Sequence, residues 1–362
     1  MSKRIESLDF LKALLVLFVL AAHYFGTVCF EDVSRENNPA LFSFTSIISG
    51  FLRGQSVPIY FFISGYLFFL GGEFSIEKYY KKLRRRIKSL LVPYVVWNTI
   101  AIILLIIVLL SPLVSMMKYG DKLDISFINI LSCYWSYDGA LAGVNVSSEP
   151  APIDMPLWYI RDLMLMVVLS PVIRWLLTRL KVVFLILTCG LWVWLSIQTP
   201  SIYFPRDGIF FFSLGAYFSL NGKDIVSILS KWYKPSMIVY IILSIILSII
   251  FFYNIENLYC LKLLNILIGI VFYISFAEYL SHGKIINATQ KYFGSAYFIY
   301  LSHGIICSKM IKLIMIIIKP SNDFGYIMTD VLSYVISILL LYGTYRMLER
   351  FTPKVLSLLL GR

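Results

Sequence analysis

The sequence has few charged residues: Asp, Glu, Lys and Arg make up only 14% of its 362 residues, whereas a soluble domain carries about 25%. Hydrophobic residues account for 59%, and the mean hydropathy is +0.81. A soluble fold needs polar residues to cover its surface, and this chain has too few of them. The composition therefore excludes a water-soluble enzyme, a disordered protein and a small secreted scaffold. It predicts a protein that is solvated mainly by lipid.

Cysteine and histidine are also scarce, with five and three residues in the chain. The cysteines form no Cys-x-x-Cys pair and have no histidine at metal-ligand spacing, so we expect neither a zinc site nor a disulfide framework. We expect no metal cofactor. Two of the three histidines, His23 and His303, lie within apolar segments. A polar side chain is costly in such a segment and usually faces a cavity, which makes both residues functional candidates.

What the chain has in abundance is long apolar segments. Ten of them, some with flanking residues, are long enough to cross a hydrocarbon core about 30 Å thick. We predict an all-α membrane protein with about ten transmembrane helices, forming a single integral-membrane domain over residues 1–362. The first segment has no convincing cleavage site, which favours a helix over a signal peptide. The segments are 13–30, 54–72, 89–117, 157–178, 182–200, 207–222, 235–255, 259–281, 293–318 and 325–345.

The net charge of +12 has a topological interpretation. In a soluble protein such a charge would indicate nucleic acid, which we do not expect as a partner here. Counted over alternate loops, 21 Lys and Arg residues fall on one side of the predicted helices and 7 on the other. Basic residues collect in cytoplasmic loops, so this distribution predicts that both termini are cytoplasmic.

The first apolar segment carries three polar residues on one face. Lys12 and His23 are 11 residues apart, so on a helix they lie within about 20° of each other and roughly 16 Å apart along the axis. Asp9 falls within about 60° of Lys12. Imidazole suits proton transfer near neutral pH, although a histidine that only joins two helices by a hydrogen bond remains the alternative. For Lys12 the alternative is snorkelling to the membrane interface.

A basic cluster between residues 78 and 88 contains seven Lys and Arg residues, among them Lys82, Arg84, Arg85 and Arg86. Anchoring on anionic membrane lipids explains part of such a cluster. The density exceeds what orientation needs, and arginines suit phosphate by geometry. We therefore expect this cluster to bind phosphate groups as well as lipid.

Further polar residues near the predicted outer ends of helices allow two interpretations each. Arg161 and Asp162 form either an ion pair that fixes helix packing or, with Trp158 and Tyr159, the entrance for a sugar. Ser302 is more often a packing hydroxyl than a nucleophile. Two pairs complete the set: Tyr300 with His303, and Lys309 with Lys312, which either snorkel or contact an anionic lipid carrier.

Several of these segments resemble a known family. The opening RIESLDFLKALLVLFVLAAHYF resembles the first helix of the acyltransferase-3 family of membrane acyltransferases, whose hallmark is a basic residue, usually Arg, then ten residues, then His. Here the pattern is Lys12-x10-His23, and Lys lacks the planar, bidentate fork of Arg. The resemblance covers nearly the whole chain. Four further segments are similar to family segments in the same order: VPIYFFISGYLFF (57–69), KKLRRRIKSLLVPYVVW (81–97), MPLWYIRDLMLMVVLSP (155–171) and FGSAYFIYLSHGII (293–306).

The resemblance implies transfer of an acyl group, commonly acetyl from acetyl-CoA, to a hydroxyl of a cell-envelope saccharide such as an O-antigen, a capsule, an exopolysaccharide or a lipid-linked glycan. It implies a multi-pass protein of the bacterial inner membrane. His23 would be the general base and His303 a second proton-handling or positioning group. Lys12 and Asp9 would hold the donor path. The donor phosphates would be bound by Arg84, Arg85, Arg86, Lys82 and Arg4, and the acceptor by Trp158, Tyr159, Arg161, Asp162, Tyr300 and Ser302.

The alternative is a polytopic transporter or flippase of a lipid-linked sugar or a small anion. Such a protein also has intramembrane charges and a cavity. It is expected to show internal symmetry and Gly/Pro-interrupted spans in matching halves, and neither is found in this sequence. A receptor or scaffold has no reason to bury Lys12 and His23 on one face. The sequence does not identify the sugar or the acyl chain, and it leaves a homo-oligomer open.

Overall fold

The computed structural model describes residues 6–25, 30, 33–71, 75–111, 124–139, 141, 151–198, 204–255, 258–281 and 289–362. All regular secondary structure within these ranges is helical, as the sequence predicts. Two short π-helical turns, Ile87–Leu91 and Gly208–Phe212, precede α5 and α9. The α-helices are α1 (Glu6–Phe25), α2 (Pro39–Leu52), α3 (Ser56–Phe69), α4 (Ile76–Arg86), α5 (Val92–Leu109), α6 (Phe127–Trp135), α7 (Trp158–Leu180), α8 (Val182–Ile197), α9 (Ser213–Leu220), α10 (Ile225–Leu229), α11 (Tyr233–Tyr253), α12 (Tyr259–Ser281), α13 (Phe293–Ile318), α14 (Asp323–Phe351) and α15 (Pro353–Leu360).

Seven helical segments within the described ranges are long and apolar enough to cross a membrane, which identifies an integral membrane protein. Helix α8 and the segment Gly208–Leu220 are apolar but shorter, and α3 has 14 residues. The count of ten spans and the cytoplasmic position of both termini stay predictions. The seven segments are Glu6–Phe25, Ile76–Leu109, Met155–Leu180, Ile225–Tyr253, Tyr259–Ser281, Phe293–Ile318 and Asp323–Phe351.

Helix α2 is an element that the sequence analysis did not predict. It lies between the first two predicted spans and packs along α11 at very short distance. At Gly50 a Cβ atom would lie 2.2 Å from the Ser248 hydroxyl and 2.5 Å from the Ser244 carbonyl oxygen, so only glycine fits. With 14 residues, several of them Ser or Thr, α2 escapes a search for segments of membrane-spanning length.

Close backbone contact also joins α3 to the π-helical turn and α9. A Cβ at Gly65 would lie 2.0 Å from the carbonyl oxygen of Phe212, and a Cβ at Gly215 would lie 1.9 Å from that of Phe62. The two glycines therefore allow the helices to touch, as small residues do at helix interfaces in membranes. This contact fixes α3, which carries Tyr60 and Ser64 toward the center of the molecule.

Candidate active site

The polar residues of the first half of α1 open on a cavity of about 440 Å³, called here the Lys12 cavity. Lys12 Nζ lies 2.6 Å from Asp9 Oδ1, so the predicted acid and base on this face form an ion pair one turn apart. The cavity lies within the size range of small-molecule sites. Its other charged and hydroxyl-bearing lining residues are Tyr60, Ser64, Arg86, Ser89, Tyr159, Tyr297, Tyr300 and Arg362.

Arg86 reaches the Lys12 cavity because the helix that carries it changes its winding. The π-helical turn Ile87–Leu91 follows Arg86 directly, and Pro93 comes two residues after that turn. Pro93 has no N–H to donate to the carbonyl of Ser89, four residues earlier. The Tyr297 hydroxyl from α13 donates to that carbonyl instead, at 2.9 Å. Such π-helical turns are frequent at functional sites, and this one places both Arg86 and Ser89 in the cavity wall.

Arg362 is a lining residue that the sequence analysis missed. Helix α15 carries it to the Lys12 cavity, and Trp97 Nε1 of α5 donates to the Leu359 carbonyl at 3.1 Å. The chain then passes through Gly361 in the left-handed region, at φ 64°. A Cβ at Gly361 would lie 2.0 Å from the carbonyl oxygen of Lys88, so glycine is required both by conformation and by space. No local sequence pattern links residue 362 to the first helix.

The other predicted phosphate-binding residues are distributed differently. Arg84 is exposed and lines neither the Lys12 cavity nor its neighbors. Lys82 donates to the Phe68 carbonyl and lies over the Phe68 ring. Lys82 and Arg85 line a separate cavity of about 240 Å³. Arg4 lies outside the described residues. The basic cluster is therefore divided, with Arg86 alone among its members in the wall of the Lys12 cavity.

His23, at the other end of α1, lines a second and larger cavity of about 890 Å³, called here the His23 cavity. Helix α13 supplies Lys309 and Lys312 to its wall, and Lys319, the residue directly after the helix, adds a third lysine. None of the described residues that line this cavity is Asp or Glu. The cavity therefore combines an imidazole with a strongly basic wall.

The two cavities are separated by a pair of histidines. The rings of His23 and His303 have their centroids 5.3 Å apart, and His303 is 1% exposed. His303 Nδ1 lies 2.6 Å from the Tyr300 carbonyl oxygen. Because a carbonyl only accepts hydrogen bonds, this contact places the proton of a neutral His303 on Nδ1. Its Nε2 therefore carries the lone pair, and this buried atom has no hydrogen-bond partner within the described part of the chain.

Tyr300 connects the Lys12 cavity to this histidine pair. Its ring lines the Lys12 cavity and lies 5.8 Å from the His303 ring, centroid to centroid. Its hydroxyl donates to the carbonyl of Pro156, a residue in the wall of the His23 cavity, at 2.6 Å. Contacts between aromatic rings thus run from one cavity to the other through Tyr300, His303 and His23.

Two further tyrosines hold the wall of the Lys12 cavity in place. The Tyr60 hydroxyl donates to the Lys12 carbonyl at 2.6 Å, and the Tyr159 hydroxyl lies 3.2 Å from Ser64 Oγ. Tyr159, predicted to contact the acceptor, therefore faces the same cavity as Lys12 rather than the His23 cavity.

The remaining candidates for acceptor binding lie in packing positions. Arg161 is 2% exposed, its Nε lies 3.1 Å from Asp162 Oδ1, and its guanidinium donates to the Trp135 carbonyl and lies over the Trp135 ring. This geometry corresponds to the ion-pair alternative, since it joins α7 to α6. Ser302 Oγ donates to the Phe298 carbonyl of its own helix at 2.8 Å. Neither these residues nor Trp158 line the two cavities, and their role in sugar binding stays a prediction.

Comparison with known proteins identifies the family. The model of the acyltransferase-3 family, described as an acyltransferase domain, matches residues 5–346. The chain belongs to the acyltransferase-3 family. The succinoglycan biosynthesis protein ExoH of Rhizobium meliloti (strain 1021) is 24% identical over 311 residues, which cover 84% of this chain and 78% of that protein. No solved structure matches the chain.

Membership in the acyltransferase-3 family confirms the resemblance drawn from the motifs. It also suggests how the two cavities are related. An acyltransferase brings together a donor and an acceptor, and it needs a group that handles the acceptor's proton at the place where they meet. In this member of the family, the boundary between the two cavities carries His23 and His303.

Proposed function

We propose that this protein is a membrane O-acyltransferase that moves an acetyl group from acetyl-CoA to a hydroxyl of a cell-envelope polysaccharide or its lipid-linked precursor. One observation carries the proposal: half-buried His23 and buried His303 form a pair between two separate cavities, and both cavities have basic walls. The Lys12 cavity receives the donor from the cytoplasm, and the His23 cavity receives the acceptor. The protein resides in the bacterial inner membrane.

The Lys12 cavity has the chemistry that a coenzyme A donor requires. Arg86 and Arg362 offer planar guanidinium groups that suit phosphate oxygens, and Lys12 adds a third positive charge. Asp9 neutralizes one of the three, so the described wall keeps an excess of positive charge. The tyrosine-lined part of the cavity accommodates the pantetheine arm and the thioester, because it reaches Tyr300, whose ring lies against that of His303.

The transfer proceeds in one balanced exchange. The His23 imidazole accepts the proton of the acceptor hydroxyl, and the hydroxyl oxygen forms a bond to the thioester carbonyl carbon. The bond between that carbon and sulfur breaks. The sulfur takes the proton back from His23 and leaves as the thiol of coenzyme A. His303 acts as a positioning residue, because its proton is held on Nδ1 by Tyr300 and its Nε2 offers an acceptor to the His23 ring.

The acceptor class is supported by the relative named for succinoglycan biosynthesis, which points to a polysaccharide. The His23 cavity supports the same class by its size, since it has about twice the volume of the Lys12 cavity. Sugar hydroxyls are poor nucleophiles until a base removes the proton, which is the task assigned to His23.

Acetyl-CoA labeled in the acetyl group tests the proposal. Purified protein in detergent is incubated with this donor and with a polysaccharide acceptor, and the label on the acceptor is measured before and after mild base. We expect label that is released by base as acetate and that is absent with the His23→Gln variant. A transporter or flippase moves label or lipid-linked sugar across a proteoliposome membrane without forming this product, and that result contradicts the proposal.

A further inference from the structure

The wall of the His23 cavity carries more positive charge than a neutral sugar requires. Lys309, Lys312 and Lys319 all line it and are all exposed, and none of the three has a carboxylate within ion-pair distance among the described residues. Snorkelling explains a single lysine near a helix end. It does not explain why three lysines border the same cavity as His23.

One carboxyl group lies close to this wall without joining it. Asp154 and Lys309 both line an adjacent cavity of about 250 Å³. Burial raises the pKa of Asp154 to about 8, and the nearby charge of Lys309 lowers it by a smaller amount. At neutral pH this carboxyl is therefore mostly protonated and leaves the charge of Lys309 largely uncompensated. Lys312 and Lys319 do not line this adjacent cavity.

The geometry points to an anionic acceptor: the His23 cavity binds a saccharide that carries a carboxylate or a phosphate, and Lys312 and Lys319, assisted by Lys309, hold that anion. This inference rests on the proposed function only in naming the ligand an acceptor. Lysine ammonium groups are flexible point charges, and they suit either anion without the fixed orientation that arginine imposes.

The spacing along α13 separates the anion from the reacting hydroxyl. With a rise of 1.5 Å per residue, Lys309 lies about 9 Å beyond His303 along the helix axis and Lys312 about 13 Å, and the helix ends just before Lys319, about 22 Å beyond His303. The negative charge is therefore expected on a different part of the acceptor from the hydroxyl that His23 deprotonates. Both a uronic acid elsewhere in the chain of sugars and the diphosphate of a lipid carrier satisfy this condition.

Binding of three probes tests the inference without relying on catalysis. The probes are a neutral tetrasaccharide, the same tetrasaccharide with one glucuronic acid, and the neutral tetrasaccharide on polyprenyl diphosphate, each labeled with a fluorophore. Full-length protein is held in phosphatidylcholine nanodiscs. We expect at least one charged probe to bind about tenfold more tightly than the neutral probe, and Lys312→Gln/Lys319→Gln to remove this preference. Lys262→Gln, which changes a lysine at the start of α12 away from the cavity, is the matched control.

The two charged probes distinguish the sources of the anion. A preference for the glucuronate probe assigns the charge to the saccharide, and a preference for the diphosphate probe assigns it to the carrier. Equal affinity for all three probes overturns the inference, as does a preference that survives in the double variant. If the double variant loses only its affinity for added phosphatidylglycerol, the lysines anchor lipid and the inference is wrong.

Acyl transfer measured on the same samples separates this inference from the proposed function. Wild-type protein that discriminates the probes but transfers no acetyl group retains the anion site and contradicts the proposed function. Protein that transfers acetyl equally well to neutral and charged acceptors, with no difference in affinity, retains the function and contradicts the anion site.

Discussion

The two cavities differ in the residues that carry their positive charge. The Lys12 cavity has two arginines and one lysine, and that lysine is paired with Asp9. The His23 cavity has three lysines and no described Asp or Glu in its wall. Arginine selects planar, bidentate anions, whereas lysine tolerates anions of varied geometry. The difference agrees with the proposed assignment of a fixed ligand, the coenzyme, to the Lys12 cavity and of a variable acceptor to the His23 cavity.

The two cavities are proposed to open on opposite sides of the membrane, and a topology experiment tests this directly. Reporter fusions after Lys231 are expected in the cytoplasm, whereas fusions near Asp138 and Lys319 are expected outside, because the basic loops mark the cytoplasmic side. The measurement is paired alkaline phosphatase and fluorescent-protein activity in whole cells. Fusions at Lys231 and Lys319 on the same side would break the assignment of donor and acceptor to opposite sides of the membrane.

His23 lies at the boundary, and its replacement has the largest expected effect on turnover. Gln keeps hydrogen bonding but does not accept a proton usefully near neutral pH, so His23→Gln is expected to cut acetyl transfer by about 10²–10⁴-fold. Coenzyme A affinity and folded yield should stay nearly unchanged. Tyr24→Phe is the control, because Tyr24 is the next residue on α1 and lines neither cavity, and the substitution also removes only a polar group, the hydroxyl that lies 2.5 Å from Ser337 Oγ. Wild-type turnover in His23→Gln would remove the residue from the mechanism.

The arginines provide a test of the proposed donor site, because Arg86 and Arg362 line the Lys12 cavity and Arg84 does not. Arg86→Gln and Arg362→Gln are each expected to raise KM for acetyl-CoA by about tenfold, since each removes a charge-assisted contact to phosphate in a half-open cavity. Arg84→Gln is the matched control, because Arg84 is two residues away and exposed. Initial rates at varied donor concentration provide the measurement. A wild-type KM for acetyl-CoA in all three variants would leave membrane anchoring as the role of these arginines.

Contacts within one helix were predictable from the sequence, whereas contacts that depend on packing between helices or on a change in helical winding were not. The shared face of Asp9, Lys12 and His23 was predicted from helical spacing within one segment. The structure adds an ion pair between Asp9 and Lys12, and it places His23 in the wall of a different cavity. Arg362 was not predictable, because its place depends on how α15 packs on α5. The arginine of α4 that lines the Lys12 cavity was not predictable either. The π-helical turn and Pro93 determine that Arg86, rather than Arg84, reaches the cavity.

Gly304 lies where the His23 cavity meets the adjacent cavity of Asp154, and its replacement tests how tightly this wall is packed. A Cβ at Gly304 would lie 2.2 Å from Asp154 Oδ1 and 2.7 Å from Pro156 Cδ. Gly304→Ala is therefore expected to destabilize the fold by about 1–3 kcal/mol. It is also expected to lower acetyl transfer, because the added methyl group shifts the backbone next to His303. Gly190→Ala is the control, since no atom lies within 4 Å of its Cβ position and Ala favors a helix. Thermal unfolding in detergent measures both, and equal Tm values would contradict this packing.

The last prediction concerns the pH dependence of stability at Asp154. Burial raises the pKa of this carboxyl from 3.8 to about 8, with a smaller opposite effect from Lys309. Between pH 4 and 8 the folded protein therefore holds a proton that the unfolded chain has released. Stability falls with pH wherever the folded state binds more protons, so this residue makes Tm decrease from about pH 4 to about pH 8 and contributes no further change above that.

Asp154→Asn removes the titration and keeps the shape of the side chain. Its Tm in detergent is expected to fall less than that of wild type between pH 5 and 8, and to exceed the wild-type value at pH 8. Asp124→Asn changes an exposed carboxylate and should leave the wild-type pH profile in place. Parallel profiles for wild type and Asp154→Asn would mean that Asp154 is charged at neutral pH. Its carboxylate would then compensate Lys309, and the contrast between the two cavities would rest on Lys312 and Lys319 alone.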